Sequence, residues 1–388
     1  MDKIAITGMG VVSSAGTGIK DTLISFEKGE RNAGIPSVFN TSLVYPVFEA
    51  GSVPSRKDAE IRTISLVMAA VKEALIDAGV SDSFKGQRVG VCLGTTIASQ
   101  LNDIDFYKVF KETRSVNMQK IDRFIKSNLA EVVSQATRAS GPSITVVNAC
   151  SSGADAIGIA VSWIKGGVCD IAIAGGADEL DSVPLCGFRS LGIVSDELCA
   201  PFDKNRKGLN LGEGAGIVVL EREDGAFRRG IKPKAFVAGY GSIADAYHLT
   251  APHPEGAGLE AAVEIALKQG GIDAESVAFI NAHGTATHDN DKVEAKVLKR
   301  VFGLEIDFLS TKGYTGHTLG AAGGIEAVFT ASMLNTGWVP MSAGFKEFDE
   351  EIGIAPVTER KHIDKKYAMS TSLAFGGNNA ALLFEKAE

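Results

Sequence analysis

An α/β fold in two similar halves is predicted by three observations. Short β-branched runs alternate with segments of helical apolar spacing along the whole chain. One helix–strand unit recurs about 190 residues later, near half the chain length. Glycine is abundant, 44 of 388 residues, and it punctuates the ends of the periodic segments.

The elements follow in order. Lys3 precedes a first strand, Ile4-Ala5-Ile6-Thr7-Gly8. The spacing predicts a helix from Ile64 to Ala78, stopped by Gly79, then a strand from Arg88 to Leu93. In the second half, Ala235-Phe236-Val237-Ala238-Gly239 corresponds to the opening strand. A helix from Leu259 to Gln269 stops at Gly270-Gly271, and the strand Val277 to Asn281 follows. The duplication divides the chain near residue 230, into halves 1–230 and 231–388. The less apolar segment 96–140 reads as an excursion from the first half. Thr7-Gly8-Met9-Gly10 begins like a dinucleotide loop. Ser13 stands where a third glycine belongs, so no nicotinamide cofactor is predicted.

Bulk properties exclude several classes. A composition 45% hydrophobic and 22% charged is that of a globular enzyme, and no apolar run is long enough to span a bilayer. The net charge of −8 disfavours nucleic acid as a partner. No signal peptide is read before the first strand. Five cysteines at irregular spacing suit a reducing cytoplasm, not a disulfide framework. No CxxC or HExxH spacing occurs, so no catalytic metal is predicted.

The chemistry centres on Cys150, in Val146-Val147-Asn148-Ala149-Cys150-Ser151-Ser152-Gly153. Ile144 to Val147 read as a buried strand, and Ala154, Ile157, Val161 and Ile164 as a helix. Cys150 falls at the junction, where a helix N-terminus is expected to stabilise a thiolate. A lone cysteine there is more often inert packing. Two of the six histidines change that reading. His283 lies in Asn281-Ala282-His283-Gly284-Thr285-Ala286-Thr287, and His317 in a glycine-rich stretch that also holds Lys312. A cysteine with two histidines and a lysine suits acyl-thioester chemistry. Ala374-Phe375-Gly376-Gly377 adds a turn that can present a backbone N–H to an oxyanion.

On these motifs, with Pro201-Phe202-Asp203-Lys204-Asn205-Arg206-Lys207-Gly208 and Asp245-Ala246-Tyr247-His248-Leu249-Thr250, the chain resembles the β-ketoacyl-acyl-carrier-protein synthases. These are condensing enzymes of the thiolase superfamily, and the likeness covers nearly the whole chain. It implies a thiolase-like fold, with duplicated αβαβα halves forming a five-layered core. It implies an acyl group held on Cys150 and condensed with malonyl-acyl-carrier protein, releasing CO2. His283 and His317 would bind the malonyl thioester carbonyl, and Lys312 would set their charge and hydrogen bonding. The N–H groups of Cys150 and Phe375 would form the oxyanion hole, with Phe375 also a gate. Thr250, Thr285 and Thr287 would line the channel for the phosphopantetheine arm, and Ile97 the acyl pocket. Asn281 and Glu326 are candidates to fix the histidine tautomers, and with Ser370 they suggest a structural monovalent cation. No other cofactor is implied. Arg56, Lys57, Arg62, Lys204, Arg206 and Lys207 are candidates for docking the carrier.

The sequence also departs from the elongating synthases. Ala374 and Asn378 replace a glycine and a threonine of the usual gate, and Ala374 stiffens that loop. His288 replaces a proline, and Glu60 and Ile61 stand where basic docking residues are usual. The run Cys150-Ser151-Ser152-Gly153-Ala154-Asp155, with Asp155 in place of a histidine or an asparagine-rich continuation, resembles ketosynthase subunits of type II polyketide or aryl-polyene systems. Such subunits pair with a chain-length factor, so both a homodimer and a heterodimer are open. A non-catalytic partner subunit would have no use for Cys150. A thiolase would carry a second catalytic cysteine near the C-terminus, whereas here the last is Cys199.

Overall fold

Strands β1 (Ile4–Ser13), β2 (Val89–Gly94), β3 (Ser143–Val146), β4 (Ile171–Asp178) and β5 (Gly214–Arg222) precede residue 230. Strands β6 (Ala235–Ala244), β7 (Val277–Asn281), β8 (Asp307–Leu309), β9 (Tyr367–Ala374) and β10 (Asn378–Lys386) follow it. The computed structural model describes residues 3–51, 53, 61–80, 84, 86–96, 104–115 and 128–387. The sheet order is β3-β2-β4-β5-β1-β6-β10-β9-β7-β8, in which each half repeats the other about the centre. β2 runs parallel to β3 and β4, as β7 does to β8 and β9. β5 is antiparallel to β4 and β1, as β10 is to β9 and β6. The halves meet where β1 pairs antiparallel with β6, Ile4 opposite Val237.

Parallel neighbours need crossover connections, which pass through the helix Leu129–Thr137 between β2 and β3 and the helix His288–Phe302 between β7 and β8. Helices α1 (Arg62–Asp77) and α2 (Ser152–Lys165) serve the first half, α3 (Ala257–Gly270) and α4 (Ala322–Thr336) the second. Alternation along the strands feeds both sheet faces. Ile171 and Ile173 join the core under α1, while Ala172 and Ala174 join the central core with α2 and α4. Met369 and Leu383 pack toward α3, while Ala368 and Leu382 face the centre. The result is five layers: outer helix, sheet, paired inner helices, sheet, outer helix. The inner helices approach closely at small residues. A Cβ on Gly153 would lie 2.6 Å from the nitrogen of Gly324.

Two expectations change here. The run at β3 is not buried: Ile144 is 46% and Val147 63% exposed, because β3 is the end strand of this chain's sheet. The opening strand does not stop at Gly8 but continues to Ser13. Its glycines sit under α1, where a Cβ on Gly8 would meet the Ala74 carbonyl oxygen at 2.1 Å and one on Gly10 that of Ala70 at 2.0 Å. They serve helix–strand contact rather than phosphate binding. No described helix is long and apolar enough to cross a membrane.

Candidate active site

Between β3 and α2 the chain reverses over residues 147–151. Ala149 takes φ 48°, a left-handed conformation that strains a non-glycine residue by roughly 1–2 kcal/mol. Side chains hold the turn. The Ser152 hydroxyl accepts from Asn148 N–H (2.7 Å) and donates to the Ala149 carbonyl (2.6 Å). Thr96 donates to the same carbonyl at 3.2 Å. Cys150 sits at the apex, 5% exposed.

The second half brings its groups to the same point. His283 follows β7, and the N–H groups of His283 and Gly284 each donate to the Glu294 carboxylate at 2.8 Å. Thr371 donates to that carboxylate at 2.7 Å. His317 lies just before α4, with its N–H on the Asn210 carbonyl (2.8 Å). Its Nε2 is 3.1 Å from Cys150 Sγ. The two imidazoles stand perpendicular, with centroids 5.2 Å apart. Lys312 Nζ lies 3.1 Å from His283 Nδ1 and is ion-paired to Glu326. Cys150, His283, His317, Lys312 and Glu326 are all buried.

Burial dominates the electrostatics. It pushes the Cys150 thiol up to about 12, against the opposing pull of Lys312 and the Phe375 backbone N–H. Burial thus favours the protonated thiol over the expected helix-stabilised thiolate. Burial, then the Lys312 charge, holds His283 and His317 well below the usual histidine range, so both rings are neutral near pH 7. Burial also raises Glu326 to about 7, with Lys312 pulling the other way. An ammonium can only donate, so His283 Nδ1 accepts and its ring proton resides on Nε2. His317 Nε2 faces a protonated thiol, while its Nδ1 meets no hydrogen-bonding group among the described residues.

Other expected residues divide into those gathered here and those elsewhere. Thr250, Thr285, Thr287 and Phe375 line the same cleft as Cys150 and the histidines. The Thr285 and Thr287 hydroxyls bond each other at 2.8 Å. Neither Asn281 nor Glu326 is seen to hydrogen-bond an imidazole among the described residues. Asn281 accepts from Thr311 at 3.2 Å and so braces the segment before Lys312, and Glu326 acts through Lys312. Ser370 pairs in register with Asn281 across β9 and β7. Glu326 Oε2 is buried and has no hydrogen-bonding partner among the described residues, a donor that fits a small cation.

Two docking candidates are corrected. Arg62 is 3% exposed, pairs with Glu213 and donates to the Val53 and Ala50 carbonyls. Arg206 is buried against Asp349 (2.6 Å) and Asp291 (3.9 Å). Both are core ion pairs because carboxylates distant in sequence fold onto them. Lys204 and Lys207 are exposed and paired, with Glu347 and Glu350 and with Glu197 respectively. Ile97, Arg56 and Lys57 lie outside the described residues.

The sequence reading missed Glu294, which anchors the His283 turn, and Phe188. Its ring lies 5.4 Å from that of Phe375 and 6.4 Å from that of His317. For Glu294 there was a signal: Asp291 and Glu294, one helical turn apart, follow the histidine motif directly.

Comparison with known proteins agrees with this geometry. Residues 1–226 match the N-terminal domain of beta-ketoacyl synthase, and residues 234–346 its C-terminal domain. The chain is 34% identical over 410 residues to 3-oxoacyl-[acyl-carrier-protein] synthase 2 of Staphylococcus aureus (strain COL), covering 100% of this chain and 99% of that one. It superposes on the ishigamide ketosynthase/chain length factor with a TM-score of 0.92, at 28% identity and with both chains fully covered. A chain of the complex of the ketosynthase ApeO with its chain length factor ApeC from Xenorhabdus doucetiae gives a TM-score of 0.85 at 29% identity. That match covers 100% of this chain and 98% of that one.

Proposed function

This chain belongs to the beta-ketoacyl synthase family, and on that premise we propose that it condenses an acyl group on Cys150 with malonyl-acyl-carrier protein. The products are a 3-oxoacyl-carrier protein and CO2. The observation that carries the reading is the 3.1 Å approach of His317 Nε2 to a protonated Cys150 thiol, beside a His283 that presents Nε2–H.

A thiol raised to about 12 needs a base, and His317 Nε2 is placed to take its proton as sulfur attacks the incoming thioester. The N–H groups of Cys150 and Phe375 hold the tetrahedral oxyanion. Collapse expels the carrier's thiol, which recovers the proton from His317. Malonyl-carrier protein then occupies the cleft, its arm along Thr250, Thr285 and Thr287. The bond to the carboxylate breaks, CO2 departs, and its electron pair becomes an enolate. His283 Nε2–H holds the enolate oxygen. His317 donates to the same oxygen once its ring proton has moved from Nδ1 to Nε2, a tautomer change that no hydrogen bond from a described residue to Nδ1 opposes. The carbanion attacks the acyl carbonyl and expels the Cys150 thiolate, which regains a proton from solvent through His317. Phe375 gates the cleft against Phe188. Asn281, Glu326 and Ser370 would hold a monovalent cation, which would supply countercharge to the buried carboxylate. A cytoplasmic setting is inferred from the five irregularly spaced cysteines.

A second reading shares this chemistry but makes the chain a ketosynthase subunit paired with a chain-length factor. The likeness to chains of two ketosynthase–chain length factor pairs favours it, as does Asp155. Mass spectrometry after incubation with acyl-carrier proteins of different chain length tests the proposal. A thioester adduct on Cys150, absent in Cys150→Ala, is expected, and the accepted primer separates fatty-acid from polyketide use. Normal elongation by Cys150→Ala would overturn the assignment.

A further inference from the structure

We propose that Asp155 and Tyr240 are positioning residues that hold the Cys150 turn in register with the histidines for acyl transfer; this rests on Cys150 being the acyl acceptor. Asp155 lies in the first turn of α2 and is 4% exposed. Its carboxylate meets three donors. Asn148 Nδ2 (2.6 Å) and Ser151 Oγ (2.7 Å) reach Oδ2, and the Tyr240 hydroxyl (2.7 Å) reaches Oδ1. Asn148 and Ser151 flank Ala149 and Cys150, so a single carboxylate clamps the turn from both sides. The clamp has a task, because Ala149 at φ 48° persists only where its surroundings over-determine it.

Tyr240 gives the clamp an external reference. It belongs to β6, in the half that carries His283, Lys312 and His317. Gln269 pins its backbone from α3, accepting from Tyr240 N–H (3.2 Å) and donating to the Tyr240 carbonyl (2.8 Å). Its ring lies on α2 at Gly158, where a Cβ would come within 2.3 Å of it. Burial raises the phenol above its ordinary value, so the hydroxyl remains a donor. The second half thus fixes where the first half holds its thiol, and the 3.1 Å contact between Sγ and His317 depends on that register.

The test separates positioning from bulk stability. Tyr240→Phe removes one hydroxyl and keeps the ring; Asp155→Asn keeps the shape but cannot accept from all three donors. Single-turnover transfer from acyl-carrier protein to Cys150 should slow about tenfold in Tyr240→Phe and about a hundredfold in Asp155→Asn. Malonyl decarboxylation, measured in a Cys150→Ala background, should change less than twofold on adding Tyr240→Phe. Parallel loss of both activities would overturn the proposal. So would unchanged acyl transfer with a lowered unfolding midpoint, which would make the pair merely structural. If the wild type takes no acyl group on Cys150, the proposed function itself fails and this inference with it.

Discussion

In each half the third strand hands the chain to the helix that packs at the centre. After β3 the handover is a tight turn over residues 147–151 that carries Cys150; after β8 it is a longer path that carries Lys312 and His317. The first turn is built from small residues, a strained Ala149 and a network of hydroxyls, and it fixes one atom, Sγ. The second contains a buried cation, and that charge reaches outward, to His283 at 3.1 Å and to both imidazoles electrostatically. On the proposed mechanism, one half places the nucleophile and the other sets protonation. On that mechanism the base for Cys150 arrives from the opposite half.

Crossed substitutions at the two turns give the largest expected effect. Cys150→Ala should abolish condensation while malonyl decarboxylation persists or rises. His283→Ala should do the reverse, lowering CO2 release by about 10²–10⁴-fold while the acyl adduct on Cys150 still forms. Adduct mass and CO2 release read the two arms. Equal loss of both activities in both variants would end the division of labour.

Each half also buries an ion pair, Arg62–Glu213 in the first and Lys312–Glu326 in the second. Breaking either by alanine at the cation strands a buried carboxylate, at a cost of about 3–5 kcal/mol in denaturant unfolding. Only Lys312→Ala should also depress decarboxylation by the folded enzyme, because only Lys312 touches a histidine. A comparable catalytic loss in folded Arg62→Ala would blur the distinction.

These pairs also mark where the sequence was legible. Alternating strands, helix stops at glycine and the Cys150, His283, Lys312 and His317 motifs are local patterns, and the folded chain brings the four residues together. Burial is not local. Arg62 and Arg206 look like surface cations because nothing beside them announces Glu213 or Asp349, far along the chain. Ile144 and Val147 look like core because composition does not reveal a sheet edge. Asp155 stood out only as a departure, since Tyr240, its partner, lies in the other half.

The thiol itself offers a sharper reading of the same contrast. With burial holding Cys150 at about 12, iodoacetamide alkylation should rise close to tenfold per pH unit from pH 7 to 10, without a plateau. A plateau near neutral pH would mean that the first half stabilises its own thiolate, and the base from the second half would lose its purpose.

The smallest effects should come from the exposed cations. Lys204 sits between Glu347 and Glu350, and Lys207 beside Glu197, so each charge is already offset on the surface. Such pairs contribute little and are screened by salt. Lys204→Ala and Lys207→Ala should leave the unfolding midpoint unchanged. They should raise the KM for acyl-carrier protein by less than about fivefold, the upper range for exposed pairs. Glu197→Gln, which frees Lys207, should lower that KM if an acidic carrier approaches this face. A rise instead would direct docking away from it.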